Sequence, residues 1–145
     1  MSATSVTPTI APRRIGRSVL ALFAGFVFVV VLSIATDVVL HSLGVFPPLG
    51  QYTPSGPLLL ATFYRFVFGV IGSYLTARLA PYKPMQHALV GGFIGLALSI
   101  LGAAATWNRG LGPHWYPVAL IVLALPQAWL GGKLRLTQLH SSSAA

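Results

Sequence analysis

The chain has 145 residues, of which 55% are hydrophobic and only 7% are charged. Soluble proteins carry roughly 25% charged residues, so the composition excludes an ordinary water-soluble domain and indicates a membrane protein. The formal net charge is +8, from nine Lys and Arg against a single acid. The basic residues form no stripe of the kind that binds nucleic acid, so we expect no nucleic-acid partner. No cysteine is present, which excludes disulfides and thiolate metal sites.

Three segments divide the chain by composition. Residues 1–14 begin with a Ser-, Thr- and Pro-rich stretch and are predicted to be a disordered tail. Residues 15–136 are predicted to form one transmembrane domain. Residues 137–145 end in SSSAA and are predicted to be a second disordered tail.

The transmembrane domain contains four apolar runs, separated by turn-forming residues, at about 18–43, 58–80, 85–106 and 115–134. Each has roughly 20 residues, the length of helix that crosses a hydrocarbon core of about 30 Å. Transmembrane strands would be shorter and would alternate apolar and polar residues. The predicted fold class is therefore an all-α membrane protein with four transmembrane helices, inserted in the lipid bilayer.

The basic residues predict the orientation of these spans. If the N-terminus is cytoplasmic, seven basic residues fall on the cytoplasmic side and only Arg109 falls opposite, while Arg65 lies within a span. Short cytoplasmic loops carry the excess of Lys and Arg, so both termini are predicted to be cytoplasmic. The seven are Arg13, Arg14, Arg17, Arg78, Lys83, Lys133 and Arg135.

An alternative interpretation concerns the first span. Its preceding arginines, its apolar run and the small residues Ser33-Ile34-Ala35 are also typical of a cleavable signal peptide. The apolar run is longer than the roughly 7–15 residues of a signal peptide and continues past this point, which favours a retained span.

Asp37, the only acid, is the first candidate functional residue. It lies about six residues from the outer end of the first span, roughly 9 Å deep at 1.5 Å per residue. Arg65 lies seven residues into the second span, which descends from the same side. An unpaired charge at this depth is costly, so we predict an intramembrane ion pair between them. The pair would either fix helix packing or form part of an ion or proton pathway.

His41 follows Asp37 by four residues, on the same helical face. A carboxylate and an imidazole placed side by side could form a proton relay. The alternative is an interfacial histidine in contact with lipid headgroups. His114 would be a distant third partner, and we predict no metal ligand and no cofactor.

Small residues repeat every four positions on the second and third spans: Gly69 and Ser73 on one, and Gly91, Gly95 and Ser99 on the other. Such stripes let helix backbones approach closely in a membrane. We predict that they pack helices, either within one chain or between copies in a homo-oligomer.

Three short motifs in the second half of the chain carry a resemblance to known proteins. A Gly-x-x-Gly helix ends in Ala77-Arg78-Leu79-Ala80-Pro81, the next helix starts with Pro84-Met85-Gln86-His87, and the last starts with Trp115-Tyr116-Pro117. Over about residues 64–134 the chain resembles small bacterial integral membrane proteins of unknown function. The resemblance implies the bacterial cytoplasmic (inner) membrane. It implies no activity, ligand or catalytic residue.

A looser, fold-level resemblance is to small multidrug-resistance transporters, which have four short helices, work as dimers and use an acid in the first helix. Here the acid is Asp37, near the outer end and with Arg65 as expected partner, which weakens that likeness. Phosphate loops, serine elbows and zinc motifs are missing, so we do not expect an enzyme. The favoured hypothesis is a non-enzymatic accessory or interaction subunit. The alternative is an oligomeric transporter or channel that uses Asp37, Arg65 and His41.

Overall fold

The structure, a computed structural model, describes residues 14–143, and within them it consists of four α-helices. All four are long and apolar enough to span a membrane. The predicted all-helical fold with four long apolar helices is confirmed, and the length and composition of the helices support a multi-pass membrane protein. The helices are α1 (Ile15–Ser42), α2 (Ser55–Leu79), α3 (Pro84–Thr106) and α4 (Trp115–Ser143).

The C-terminal helix is longer than predicted. It continues to Ser143, so residues 137–143, predicted to be disordered, are helical. Gln138 and Leu139 favour a helix, and the hydroxyls of the three serines at its end each donate to the carbonyl oxygen four residues earlier. Gln138 is also held through its Oε1, which accepts hydrogen bonds from the Tyr74 hydroxyl and from Arg135, each at 2.8 Å. The predicted N-terminal tail up to residue 13, and residues 144–145, lie outside the described residues.

The central helix of the bundle is α2, which packs against the other three. α4 packs on both α2 and α3. α1 packs mainly on α2 and touches α3, and between residues 14 and 143 it makes no contact with α4. The bundle is therefore closed on the α2–α4–α3 side and loosely joined where α1 meets α3.

Glycines allow the closest helix contacts. A Cβ on Gly25 of α1 would collide with the Thr76 side chain and would lie 2.6 Å from the carbonyl oxygen of Gly72, both on α2. A Cβ on Gly131 of α4 would lie 2.5 Å from the Val70 carbonyl oxygen. These contacts hold α1 and α4 against opposite sides of α2 by close backbone approach.

The two ends of the bundle differ. One end, here called the loop end, carries the α1–α2 connector (43–54) and the α3–α4 connector (107–114). The Thr53 N–H donates to the Leu111 carbonyl at 2.8 Å, and the Trp115 indole N–H donates to the Ser55 hydroxyl at 3.2 Å. The first bond joins the two connectors, and the second joins the first residues of α2 and α4. The opposite end, the terminal end, carries residue 14, residue 143 and the short turn between α2 and α3.

Candidate functional site

Asp37 and Arg65 lie in contact near the loop end. Arg65 Nη2 of α2 donates to Asp37 Oδ2 of α1 at 2.5 Å. The side chains are 28% exposed for Asp37 and 34% exposed for Arg65, so neither charge is fully enclosed. The structure thus brings together the two residues that the equal-depth reasoning paired, five residues before the end of α1.

Tyr64 is a third member of this group that the sequence reasoning missed. Its hydroxyl donates to Asp37 Oδ1, so each carboxylate oxygen has a protein donor. A carboxylate shielded from water needs donors on both oxygens, because an unsatisfied charged group is costly in an apolar environment. Tyr64 directly precedes Arg65 in the sequence, and a hydroxyl-bearing side chain at this depth was the signal that could have identified it as a partner of Asp37.

An aromatic cluster positions Tyr64. Its ring is buried with Phe46 and Ala61, and Leu40, Phe68 and Tyr116 pack around them. Phe46 comes from the α1–α2 connector, so the folded connector itself helps to orient the tyrosine. The cluster lies beside the ion pair, and Asp37 and Arg65 themselves line the interior of the bundle.

That interior is a cleft of about 680 Å³ between the four helices. It runs from the loop end, where Trp107 and His114 line it, to the level of Leu22 and Gly91 near the terminal end. Most of the lining side chains are apolar or small, and the others are polar or charged. The polar and charged members include Ser33, Asp37, Thr62, Arg65, Ser73, Thr76, Ser99, Thr106, His114, Tyr116 and Gln127.

The cleft opens sideways between α1 and α3. Four of its lining side chains are also exposed on the bundle surface: Phe26 (46%) and Ile34 (58%) on α1, and Ile94 (45%) and Leu98 (45%) on α3. Near the terminal end the two helices meet, since a Cβ on Gly91 would lie 3.6 Å from a methyl of Leu22. Toward the loop end the cleft separates them.

His41 does not bond to the Asp37 carboxylate. Its Nδ1 lies 2.7 Å from the Asp37 backbone carbonyl oxygen, which can only accept, so Nδ1 carries the proton. The ring contacts Phe46, with a centroid separation of 5.2 Å. The imidazole and the carboxylate therefore have separate partners, and the direct Asp37–His41 relay considered from sequence is not formed by this geometry.

His114 belongs to the loop-end closure of the cleft. Its Nε2 donates to the Trp107 carbonyl at 2.9 Å, and its ring stacks on the Trp107 indole at 4.4 Å. The two residues begin and end the α3–α4 connector. In the part of the chain that the structure describes, no group of three or more potential metal ligands comes together.

The small residues singled out from sequence all border the cleft, but only those on α2 also pack closely on α4. Gly69 packs against the Gln127 side chain, and Ser73 packs against Gly131. On α3, an added Cβ on Gly95 would meet nothing within 4 Å, and Ser99 lines the cleft, as Gly91 does. Within one chain no helix packs closely on Gly95, because α1 does not close over this part of α3, and packing of this stripe between copies stays a prediction.

Comparisons of the chain with protein-family models, with curated proteins and with solved structures give no match.

Proposed function

We propose that this chain is a non-enzymatic integral membrane protein that binds a small molecule in the cleft between its four helices. The observation that carries the proposal is the cleft itself, about 680 Å³ with the Asp37–Arg65 pair on its wall. Small-molecule pockets in proteins have volumes of roughly 300–1,000 Å³ and combine an apolar lining with a few converging polar groups. The cleft has both properties.

The proposed location is the bacterial cytoplasmic (inner) membrane, with both termini on the cytoplasmic side. The distribution of charge over the bundle supports this orientation. Six described basic residues lie at or near the terminal end, and Arg109 is the basic residue of the loop-end connectors. An excess of Lys and Arg on the cytoplasmic side is the general rule for short loops.

A binding role is favoured over a purely structural accessory role by the position of the α3 stripe. An interaction subunit would present its small residues on the outer surface, where a second copy or another membrane protein could pack on them. Gly95 and Ser99 line the interior cleft instead. We propose no catalytic role, because Tyr64 and Arg65 hold Asp37 and the sequence contains no second acid to act with it.

Transport of the bound molecule is the second candidate function. The length of the cleft favours it, since the lining runs from Trp107 at the loop end to Leu22 near the terminal end. A transporter of this size would work as an oligomer, which is the alternative function predicted from the sequence. Proton or ligand flux in reconstituted vesicles that is lost in Asp37→Asn would select this candidate over a binding protein without transport.

The binding proposal is tested by filling the cleft. Gly95→Leu places a large side chain where an added Cβ meets nothing within 4 Å, so the helix can accept it while the cleft shrinks. Ala97→Leu adds a similar volume two residues away, at an exposed position that does not line the cleft. Native mass spectrometry of protein extracted gently from membranes should find a bound non-protein mass on wild type and on Ala97→Leu. That mass should be lost from Gly95→Leu, and retention by all three proteins would contradict the proposal.

A further inference from the structure

Arg65 has hydrogen-bonding capacity that the fold does not use. A guanidinium carries five N–H donors and no acceptor. Nη2 bonds to Asp37, and Nη1 has no hydrogen-bond partner among residues 14–143 and is not enclosed. Nε also lacks a partner there, but it is shielded from solvent and is therefore out of a ligand's reach. About a third of the Arg65 side chain remains exposed, and the residue lines the cleft. The cationic half of the pair can therefore still bind an acceptor.

Asp37 differs in this respect. Tyr64 donates to one of its oxygens and Arg65 to the other. Asp37 thus has a protein donor on each oxygen, whereas Arg65 bonds through only one of its two terminal nitrogens. The larger unused capacity of the pair is therefore that of a donor, which an anionic ligand can use. The other titratable groups on the lining, His114 and Tyr116, add no negative charge at neutral pH. Charge complementarity therefore favours an anion at this level of the cleft.

The rest of the cleft suits an apolar chain. Phe26 and Ile34 on one side and Ile94 and Leu98 on the other form the rim of the opening between α1 and α3. Because both helices are membrane spans, this opening faces the hydrocarbon of the bilayer. Small residues such as Gly95 leave room for a chain along the α3 wall.

We infer that the cleft binds a single-chain anionic amphiphile from the bilayer, with its oxyanion head at Arg65 and its apolar chain along the α1–α3 opening. The inference rests on the proposed binding function and names the ligand class for the same site. Carboxylate and phosphate heads share the required chemistry, since both are oxyanions that a guanidinium binds through paired N–H donors. The ligand would reach the site laterally, between α1 and α3, without passing through the joined loop-end connectors.

The test uses the purified, delipidated full chain and four probes with the same C16 tail: palmitate, 1-palmitoyl lysophosphatidate, hexadecanol and hexadecyltrimethylammonium. Native mass spectrometry measures the bound fraction of each. We expect retention of one or both anions at several times the level of the alcohol or the cation. The two anionic arms separate a carboxylate ligand from a phosphate ligand.

Two variants locate the head group. Arg65→Gln should weaken anion binding about 10- to 100-fold, the equivalent of roughly 1.5–3 kcal/mol for a hydrogen bond to a charged group. The Asp37→Asn/Arg65→Gln double variant should show the same loss of anion binding. Because it leaves no unpaired charge, it keeps the test possible if the single variant fails to fold. Gly95→Leu should reduce binding of all probes, and Ala97→Leu should not.

Equal retention of all four probes in wild type, with a loss on Gly95→Leu, would overturn the anion inference and leave the binding function standing. Preference for the cation, or unchanged anion binding after removal of Arg65, would also overturn the inference. Binding of none of the probes, together with no bound mass on protein from native membranes, would overturn the binding function itself.

Discussion

The contribution of the Asp37–Arg65 pair to stability can be measured by a double-mutant cycle. Asp37→Asn leaves the Arg65 guanidinium without its carboxylate, and Arg65→Gln leaves the carboxylate with only the Tyr64 hydroxyl. Each single variant therefore leaves one charge inside the bundle without its oppositely charged partner. The double variant removes both charges and keeps side chains of similar shape, so it should be no less stable than either single variant.

The magnitude follows from the exposure of the pair. Removal of one partner from a fully buried ion pair costs about 3–5 kcal/mol, whereas a fully exposed pair contributes about 0–1 kcal/mol. With 28% and 34% of the side chains exposed, this pair lies between these limits. We expect each single variant to lose about 2 kcal/mol and the double variant also about 2 kcal/mol, which gives a coupling energy near 2 kcal/mol.

Reversible unfolding in mixed dodecyl maltoside and SDS micelles, followed by tryptophan fluorescence, provides the measurement. Arg109→Gln is the control, because this arginine lies in an exposed connector and donates to the Ala105 carbonyl at 3.1 Å. Its effect should stay within about 0.5 kcal/mol. A double variant whose loss equals the sum of the two single losses would show that the pair is not coupled and would refute the reasoning.

Three further predictions address packing, access and orientation. Gly131→Ala should destabilise the bundle by about 1–3 kcal/mol in the same unfolding assay, whereas Gly95→Ala should be neutral or stabilising by up to about 1 kcal/mol; equal losses would argue against an open cleft. A cysteine at Ser99 should react with N-ethylmaleimide, and adding Gly95→Leu should slow that reaction; an unchanged rate would place the thiol outside the cleft. In intact spheroplasts, a membrane-impermeant maleimide should label Asn108→Cys and spare Ser142→Cys, and the reverse pattern would invert the proposed orientation.

The helices and the ion pair were accessible from sequence for a simple physical reason. In hydrocarbon, a helix must be apolar over about 20 residues, and this requirement is local enough to appear as a run of residues. A charge inside such a run needs a partner at the same depth, and a chain with one acid offers few choices. Asp37 and Arg65 could therefore be paired by counting residues from the span ends.

The role of His41 could not be settled in the same way. Its spacing from Asp37 places both residues on one face of α1, which permits a carboxylate–imidazole contact. The same spacing also places the imidazole beside the Asp37 carbonyl, since that oxygen belongs to residue i−4. Tyr64 and Arg65 donate to the Asp37 carboxylate. Whether His41 bonds to the carboxylate or to the carbonyl therefore depends on how α2 packs on α1, which the spacing does not reveal.

The small residues mark the point where spacing stops being informative. A glycine on a helix surface can let a neighbouring helix pack closely, as Gly25 does with Thr76 and Gly72. It can equally leave an open space, as Gly95 does. What separates the two outcomes is the path of α1, which lies against α2 along its length and contacts α3 only weakly. The Asp37–Arg65 pair joins α1 to α2 near the loop end, and the Gly25 contact joins them nearer the terminal end. The ion pair and the cleft beside α3 therefore both accompany the packing of α1 on α2.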